Sequence, residues 1–186
     1  MAARALLILI AAAGAFEFGR GLWIWAKAEL AQVLIESAWQ RSLAGEPSSK
    51  PWPWADTFPV ALLEAPAQRV QLYVLAGASG RTLAFGPGHE SGTPAPGERG
   101  NSVIGGHRDT HLAFLRDVKR GDLIRIERRD GVWVSYRVTE LDVLDYRETW
   151  VLRNDGRTRL TLVTCWPFDA LTVGGPERYV VIAEAL

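Results

Sequence analysis

The feature that most constrains the fold is a series of short β-prone runs, separated by turn residues, that extends from Thr57 to the end of the chain. Asp130-Gly131 lies between two of these runs, at 124–126 and 133–143, and an Asp-Gly pair in this setting indicates a β-hairpin. Helical patterns, such as 110–118, are short and few. Many short strands joined by turns predict a mainly β protein with a closed or nearly closed antiparallel barrel.

The predicted strands follow the runs that are rich in Val, Ile, Leu and aromatic residues. They lie at 58–63, 69–75, 83–85, 101–106, 123–127, 133–143, 160–165 and 179–183. The stretch from Gly86 to Gly100 contains Gly and Pro at many positions, and we expect it to be a loop. His89 lies in this stretch and is interpreted as a loop residue without a chemical role.

The first 25 residues predict a membrane segment. Arg4 precedes an uncharged run, Ala5 to Phe16, and apolar residues resume after Glu17 and Arg20. At about 1.5 Å per residue this run is too short for a bilayer core of about 30 Å, but the segment from Ala5 to Trp25 is long enough if its two charges pair or face protein. A retained signal-anchor is the leading interpretation. A cleaved signal peptide and an interfacial or packed helix are the alternatives.

The signal-anchor interpretation divides the chain into three parts. Residues 1–45 form the anchor and a juxtamembrane helix, 46–56 form a linker that contains Pro and Ser, and 57–186 form the barrel. A positive charge on the short N-terminal side favours a cytoplasmic N terminus. We therefore predict a single-pass protein of the inner (cytoplasmic) membrane, with the barrel on the periplasmic or extracytoplasmic side.

Charge and cysteine content exclude several classes of protein. The chain has 21 basic and 21 acidic residues without a basic stripe, so no nucleic-acid partner is predicted. A single cysteine excludes a disulfide scaffold and a cysteine-rich zinc site. His107, Asp109 and His111 have a spacing that could bind a metal, but no further His or Cys cluster accompanies them. Neither a metal nor a cofactor is predicted.

The single cysteine, Cys165, ends an apolar run and is followed by Trp166-Pro167. This context places it at the end of a strand, as either an inert core residue or a reactive thiol. His107 follows two glycines at the end of another predicted strand, and histidine titrates in the range that proton exchange with a thiol or an amine requires. Arg178 follows a Gly-Gly-Pro-Glu turn, where its guanidinium either stabilises an oxyanion or remains a surface charge.

Taken together, these residues resemble the sortase family. Thr161 to Cys165 matches the sortase signature Thr-Leu-x-Thr-Cys, and Asn101 to His107 is similar to the family's histidine motif. Arg178, on the strand after the cysteine loop, matches the sortase arginine. The resemblance extends over most of 57–186. Gly175-Pro176 and the Trp-rich segment before the barrel resemble the proteobacterial subgroup called class GN.

The resemblance implies a closed eight-stranded barrel with short helices and a cysteine transpeptidase activity. Cys165 would attack the Thr–Gly carbonyl of a C-terminal sorting signal resembling Leu-Pro-x-Thr-Gly on a surface or secreted protein. His107 would exchange protons, Arg178 would hold the substrate and the oxyanion, and an amine acceptor would take the acyl group. Gly105 stands where Ala is common in the family. Two alternatives stay open: an L,D-transpeptidase-like enzyme acting on peptidoglycan, and a catalytically idle, membrane-tethered barrel that binds a partner.

Overall fold

The chain folds into a closed β-barrel that follows a long N-terminal helix. A computed structural model describes residues 2–170, 172 and 174–186. The strands among the described residues are β1 (Pro59–Ala65), β2 (Val70–Ala76), β3 (Gly88–His89), β4 (Asn101–Gly105), β5 (Leu123–Arg128), β6 (Trp133–Asp145), β7 (Arg159–Cys165) and β8 (Glu177–Ala185). The helices are α1 (Ala2–Leu43), α2 (Gly80–Leu83) and short 3-10 turns at Pro66–Gln68, Ala113–Asp117 and Thr149–Leu152.

The barrel closes in the order β1-β2-β3-β4-β7-β8-β6-β5, and β5 pairs back onto β1. The prediction of a mainly β, closed eight-stranded barrel is therefore confirmed. Two of its contacts, β2 with β3 and β4 with β7, are parallel rather than antiparallel. The β4–β7 contact has a direct consequence for function, because both strands end at the same edge of the sheet.

Alternation along the strands separates the barrel core from its outer face. On β7, Leu160 and Leu162 are fully buried in the core, so a side-chain period of two places Thr161, Val163 and Cys165 on the outer face. The core is filled by branched aliphatic side chains from all parts of the barrel, among them Leu63, Val74, Ile104, Ile124, Ile126, Leu160, Leu162 and Val181. A smaller apolar cluster lies on part of the outer face and consists of Leu144, Val151, Val180 and Ile182.

The hairpin between β5 and β6 is confirmed where the Asp-Gly pair predicts it. Gly131 has a φ of +77°, a left-handed conformation that glycine adopts without steric cost. The backbone N–H of Arg128 donates to the carbonyl oxygen of Val132 at 2.9 Å, which closes the turn. The Asp130 carboxylate accepts from the Val132 N–H at 3.2 Å and supports the same turn.

The third strand lies at a different place from the predicted one. The prediction of a strand at 83–85 is wrong, because the Ser79 hydroxyl accepts from the Thr82 N–H and begins a helical turn there. Instead β3 forms at Gly88–His89, inside the predicted loop. A Cβ on Gly88 would lie 2.2 Å from the Gly77 carbonyl oxygen, so only glycine allows this approach. His89 is accordingly a buried strand residue rather than a loop residue.

The last third of α1 packs against the outside of β1 and β2. Trp39 is 1% exposed, lies 6.4 Å from the ring of Tyr73, and donates its indole N–H to the Glu127 carboxylate at 3.3 Å. Ala31, Ile35 and Ala38 are buried on the same side of the helix, at the i, i+4, i+7 spacing of one helical face. The described side chains that precede Ala31 are exposed.

The prediction of a membrane-spanning segment is wrong. Among the described residues, no helix contains a stretch that is both long enough and apolar enough to cross a membrane. The apolar run is interrupted by Glu17 and Arg20, which form an exposed ion pair at 3.1 Å, and then by Lys27 and Glu29. This finding overturns the assignment to the inner membrane as a single-pass protein with an extracytoplasmic barrel.

Candidate active site

Cys165 and Arg178 lie directly opposite each other at one end of the β7–β8 ladder. The two strands are antiparallel, and their register pairs Cys165 with Arg178 and Val163 with Val180. Side chains at directly opposite positions share a face and have Cβ atoms about 4.5–5.5 Å apart. Both side chains are half-buried. The thiol and the guanidinium therefore occupy neighbouring positions on the outer face of the barrel.

His107 is brought to the same end of the barrel by the parallel pairing of β4 with β7. Gly105 is the register partner of Val163, and the next N–H, that of Gly106, donates to the Val163 carbonyl oxygen at 3.2 Å. The buried hydroxyl of Thr164 donates to the Gly106 carbonyl oxygen at 2.8 Å. These bonds fix the backbone on both sides of Gly106. His107 follows directly, at the same end of the barrel as Cys165, the last residue of β7.

The two glycines before His107 have different steric roles. A Cβ on Gly106 would lie 2.7 Å from Cγ of Leu112, a fully buried side chain that has little room to move. A Cβ on Gly105 would meet only the Val163 carbonyl oxygen, at 4.0 Å. Gly106 is therefore required by packing, whereas Gly105 has space for an alanine. The departure at Gly105 is sterically mild, as the sequence comparison with the sortase motif indicates.

An apolar groove of about 220 Å³ runs along the outer face toward this end of the barrel. Its floor comes from β4, β7 and β8, and one side is formed by the 3-10 turn Thr149–Leu152. Arg178 lines the groove, and Val163, two residues before Cys165 on the same face, forms part of its floor. Its aliphatic lining comes from Val103, Leu144, Val151, Leu152, Val163 and Val180, and three acidic residues, Glu90, Asp145 and Glu148, also line it. A concave apolar surface of this kind is typical of ligand-binding sites.

The guanidinium of Arg178 is held by its surroundings. Its Nη1 donates to the carbonyl oxygens of Gly175 and Glu177, both at 2.8 Å. Its Cζ lies 5.8 Å from the ring centroid of Tyr146, within the range of a cation–π contact. Arg178 thereby contacts the segment before β7 and the segment after it, and its planar head has a fixed orientation.

His107 and His111 form the histidine pair whose spacing could bind a metal. Burial, with a further contribution from the nearby charge of His107, lowers the pKa of His111 from its ordinary value of 6.5. Within the described ranges, no group of three or more His, Cys, Asp or Glu side chains is arranged to hold a metal ion.

Comparison with known proteins identifies the family. Residues 63–186 match the family model described as "Sortase domain". The chain belongs to the sortase family. Sortases are cysteine transpeptidases, so the prediction of an enzyme of this type is confirmed at the level of the family. The assignment to the class GN subgroup is not addressed by the comparison.

Several sortases are similar to this chain. Sortase D of Bacillus subtilis is 28% identical over 124 residues, and the match covers 66% of this chain and 62% of that relative. The crystal structure of sortase C-1 from Actinomyces oris has a TM-score of 0.62 and 32% identity, and the match covers 69% of this chain and 74% of that one. Sortase C of Clostridium perfringens, solved with the C-terminal cell wall sorting motif, has a TM-score of 0.63 at 22% identity and covers 87% and 90%.

Two buried polar residues of this sortase were not assigned a role from the sequence. Arg108 is 8% exposed, and its Nη2 donates to the carbonyl oxygens of Ala170 and Thr172 at 3.0 and 2.7 Å. Asn101 is 2% exposed. Its side-chain oxygen accepts from the Thr161 hydroxyl, and its side-chain nitrogen donates to the carbonyl oxygen of Val151, in the 3-10 turn that lines the groove. Asn101 begins the histidine motif and Arg108 directly follows it, which is the available signal, but a polar residue in or next to a motif does not reveal its partner 50 or more residues away.

Proposed function

We propose that this sortase cleaves a peptide resembling Leu-Pro-x-Thr-Gly at the Thr–Gly bond and transfers the new acyl group to an amine. The observation that carries the proposal is the register pairing of Cys165 with Arg178, beside the segment that ends in His107, at the end of an apolar groove. A nucleophile, a proton donor and a fixed cation at one strand end meet the needs of acyl transfer.

In the first half-reaction, the Cys165 thiol passes its proton to His107, and Sγ attacks the carbonyl carbon of threonine to form a tetrahedral oxyanion. The C–N bond then breaks, and His107 supplies the proton that the leaving glycine amine requires. The product is a thioester between Cys165 and the peptide. In the second half-reaction an acceptor amine attacks this thioester, His107 takes a proton from the amine, and the C–S bond breaks to release the new amide and the sulfur.

Arg178 is proposed to bind the peptide carbonyl and the oxyanion that develops from it. Its two bonds to backbone carbonyls and its contact with Tyr146 hold the guanidinium in place before substrate arrives. A pre-oriented donor costs no reorganisation at the moment of reaction, and loss of one such donor typically slows catalysis about 100- to 1000-fold.

The proposed partners are a surface or secreted protein that carries the C-terminal sorting signal and an amine acceptor. The presence of a sorting motif in the Clostridium perfringens sortase C structure supports this substrate class by analogy with a similar fold. We also propose class GN membership, on Gly175-Pro176 and the Trp-rich segment near 52–54. The proposed domain division remains 1–45, 46–56 and 57–186.

A fluorogenic peptide assay on the full chain tests the proposal. We expect cleavage of at least one Leu-Pro-x-Thr-Gly-like peptide, an acyl-enzyme mass adduct on Cys165, and a transfer product when an amine is added. Cys165→Ala should abolish turnover with little change in the thermal midpoint, and His107→Ala should abolish turnover as well. If no plausible peptide is cleaved in a manner that depends on Cys165, the proposed function is wrong.

A further inference from the structure

The side chain of Asn101 joins two strands to one side of the groove. Its Oδ1 accepts from the Thr161 hydroxyl at 2.7 Å, and its Nδ2 donates to the carbonyl oxygens of Val151 at 2.6 Å and Arg153 at 3.3 Å. Thr161 is 1% exposed. The amide therefore lies in a dry position with both of its N–H groups and its oxygen in hydrogen bonds, which makes it a fully satisfied buried junction.

The element held by this junction is the 3-10 turn Thr149–Leu152, which we call the groove wall. Thr149, Val151 and Leu152 line the groove, opposite the floor strands. The side chain of Val151 packs onto the outer-face cluster with Leu144 and Val180. The position of the wall therefore depends on this apolar contact and on the bonds from Asn101.

A four-residue 3-10 turn has little stability of its own, because few hydrogen bonds repay the ordering of its backbone. Its C-terminal cap bond runs from the Arg153 N–H to the Trp150 carbonyl oxygen at 3.0 Å. The Asn101 amide instead bonds the carbonyls of Val151 and Arg153, on either side of the last residue of the turn. Buried bonds at these points determine how far the wall stands from β7.

We propose that Asn101 is a positioning residue for peptide recognition: acting through Val151, it sets the width of the groove and hence the affinity and size preference for the apolar side chain of the sorting peptide. This inference rests on the proposed function. Thr161, the first threonine of the Thr-Leu-x-Thr-Cys signature, contributes to this positioning. Its hydroxyl donates to Asn101 Oδ1 and so orients the amide with both N–H groups toward the groove wall. Asn101 itself lies four residues before Gly105 and does not touch the reacting atoms.

The variant Asn101→Asp tests this role with a minimal change of shape. The carboxylate still accepts from Thr161, but it cannot donate to Val151 and Arg153 and repels their carbonyl oxygens. We expect KM for the peptide to rise about tenfold with kcat within about twofold, as loss of two buried hydrogen bonds in a binding element predicts. The preference for a Leu peptide over its Ala analogue, measured as the ratio of kcat/KM values, should shrink by a similar factor.

The matched control is Asn154→Asp, which makes the same chemical change at an exposed position two residues after the groove wall. Asn154 is exposed, and its Oδ1 accepts from the Gly156 N–H at 3.0 Å, a bond that aspartate keeps. KM and the Leu-to-Ala preference should stay at the values of the unchanged protein. If Asn101→Asp and Asn154→Asp raise KM equally, added charge rather than wall position explains the effect, and the inference is wrong.

Hydrogen exchange of amides 149–153 provides a readout that is independent of peptide turnover. We expect faster exchange there in Asn101→Asp, with unchanged exchange in β7 and unchanged alkylation of Cys165 by iodoacetamide. Unchanged exchange of the wall would overturn the inference, and so would faster exchange with unchanged KM and peptide preference. If the unchanged protein cleaves no peptide, the proposed function and the recognition role fail together, and the exchange result alone decides whether Asn101 holds the wall.

Thr161→Val serves if Asn101→Asp does not fold. Valine keeps the shape of threonine, removes the hydroxyl that orients the amide and leaves the Nδ2 bonds possible. The same effects on KM and on wall exchange should appear at smaller size. A lower thermal midpoint with unchanged KM and unchanged wall exchange would show that the junction serves only the stability of the barrel.

Discussion

The segments before and after β7 form the two sides of the candidate active site, and they are held by different physical means. The segment 146–158 is fixed by a neutral amide, Asn101, and is backed by an apolar cluster that includes Val151. After Cys165, the carbonyl oxygens of Ala170 and Thr172 accept hydrogen bonds from a cation, Arg108. One anchor begins the histidine motif, and the other directly follows it.

We expect the segment before β7 to affect peptide binding and the segment after β7 to affect the chemical step. The first segment faces the groove, so a change there should alter peptide affinity. The second segment begins directly after Cys165 and leads into Arg178, so a change there should alter the alignment of the reacting groups. An aromatic trio supports it: Trp166 stacks on Tyr179 at 5.5 Å, and Phe168 packs edge-on against both. We expect variants of the two anchors to divide between KM and kcat accordingly.

Arg178→Lys should have the largest effect, because Arg178 contacts both segments. A point charge cannot bond Gly175 and Glu177 and also present a planar fork to an oxyanion. We expect kcat/KM to fall about 100-fold or more in the peptide assay. The matched control is Arg147→Lys, because Arg147 also lies over the Tyr146 ring, at 5.3 Å, but is exposed. Near-normal rates in Arg178→Lys would reduce Arg178 to a surface charge.

Arg108→Lys tests the second segment alone. The ammonium keeps the charge but cannot reproduce the rigid head that now reaches the carbonyls of Ala170 and Thr172. We expect kcat to fall about tenfold with KM nearly unchanged, the opposite division from Asn101→Asp. Arg116→Lys is the control, since Arg116 is exposed and lies over the Phe168 ring of the same segment at 5.3 Å. A rise in KM with constant kcat would contradict the separation of binding from chemistry.

Gly106→Ala tests the backbone from which both anchors extend. The new methyl group would overlap Leu112, and we expect a loss of about 1–3 kcal/mol in the free energy of unfolding, with reduced turnover as His107 shifts. Gly105→Ala is the matched control, because its methyl group enters open space near the Val163 carbonyl. Urea unfolding and the peptide assay measure both effects. Equal costs in the two variants would mean that contact with Leu112 is not the cause.

A pH dependence at His111 should give the smallest effect. Burial, together with the charge of His107, lowers the pKa of His111 in the folded protein below 6.5, so the unfolded chain binds a proton that the folded chain does not. The contribution is absent well above pH 6.5, and the free energy of unfolding should decline as the pH falls below it. Urea unfolding between pH 5 and 8 measures this slope, and His111→Gln should flatten it. An unchanged slope in His111→Gln would assign the pH dependence to other groups.

The sequence predicts the parts of this protein that depend on local pattern. Alternation and turn residues locate seven of the eight strands, and the Asp-Gly pair locates the β5–β6 hairpin. The three candidate catalytic residues are found by motif, and the structure brings all three to one end of the barrel. Their catalytic roles stay predictions.

The parts that the sequence does not reveal depend on contacts between distant residues. Strand β3 forms at Gly88 because only glycine leaves room for the Gly77 carbonyl oxygen. Local β-propensity does not encode this contact. Asn101 and Arg108 read as ordinary polar residues until their partners at Val151 and Ala170 are known. The apolar N-terminal run indicates a membrane segment only when its charges are disregarded, because Glu17 and Arg20 interrupt it within one helix.

The parallel pairing of β4 with β7 also affects when the candidate active site forms during folding. Its register partners, such as Val103 and Thr161, are far apart in the sequence, and β5 and β6 lie between them. Pairings of this range form only after a large loss of chain entropy, so they tend to be completed late in folding. We expect Cys165 to acquire its histidine neighbour only when the barrel closes. A nascent or misfolded chain would then lack the assembled site, and any activity of Cys165 would be confined to molecules that have finished folding.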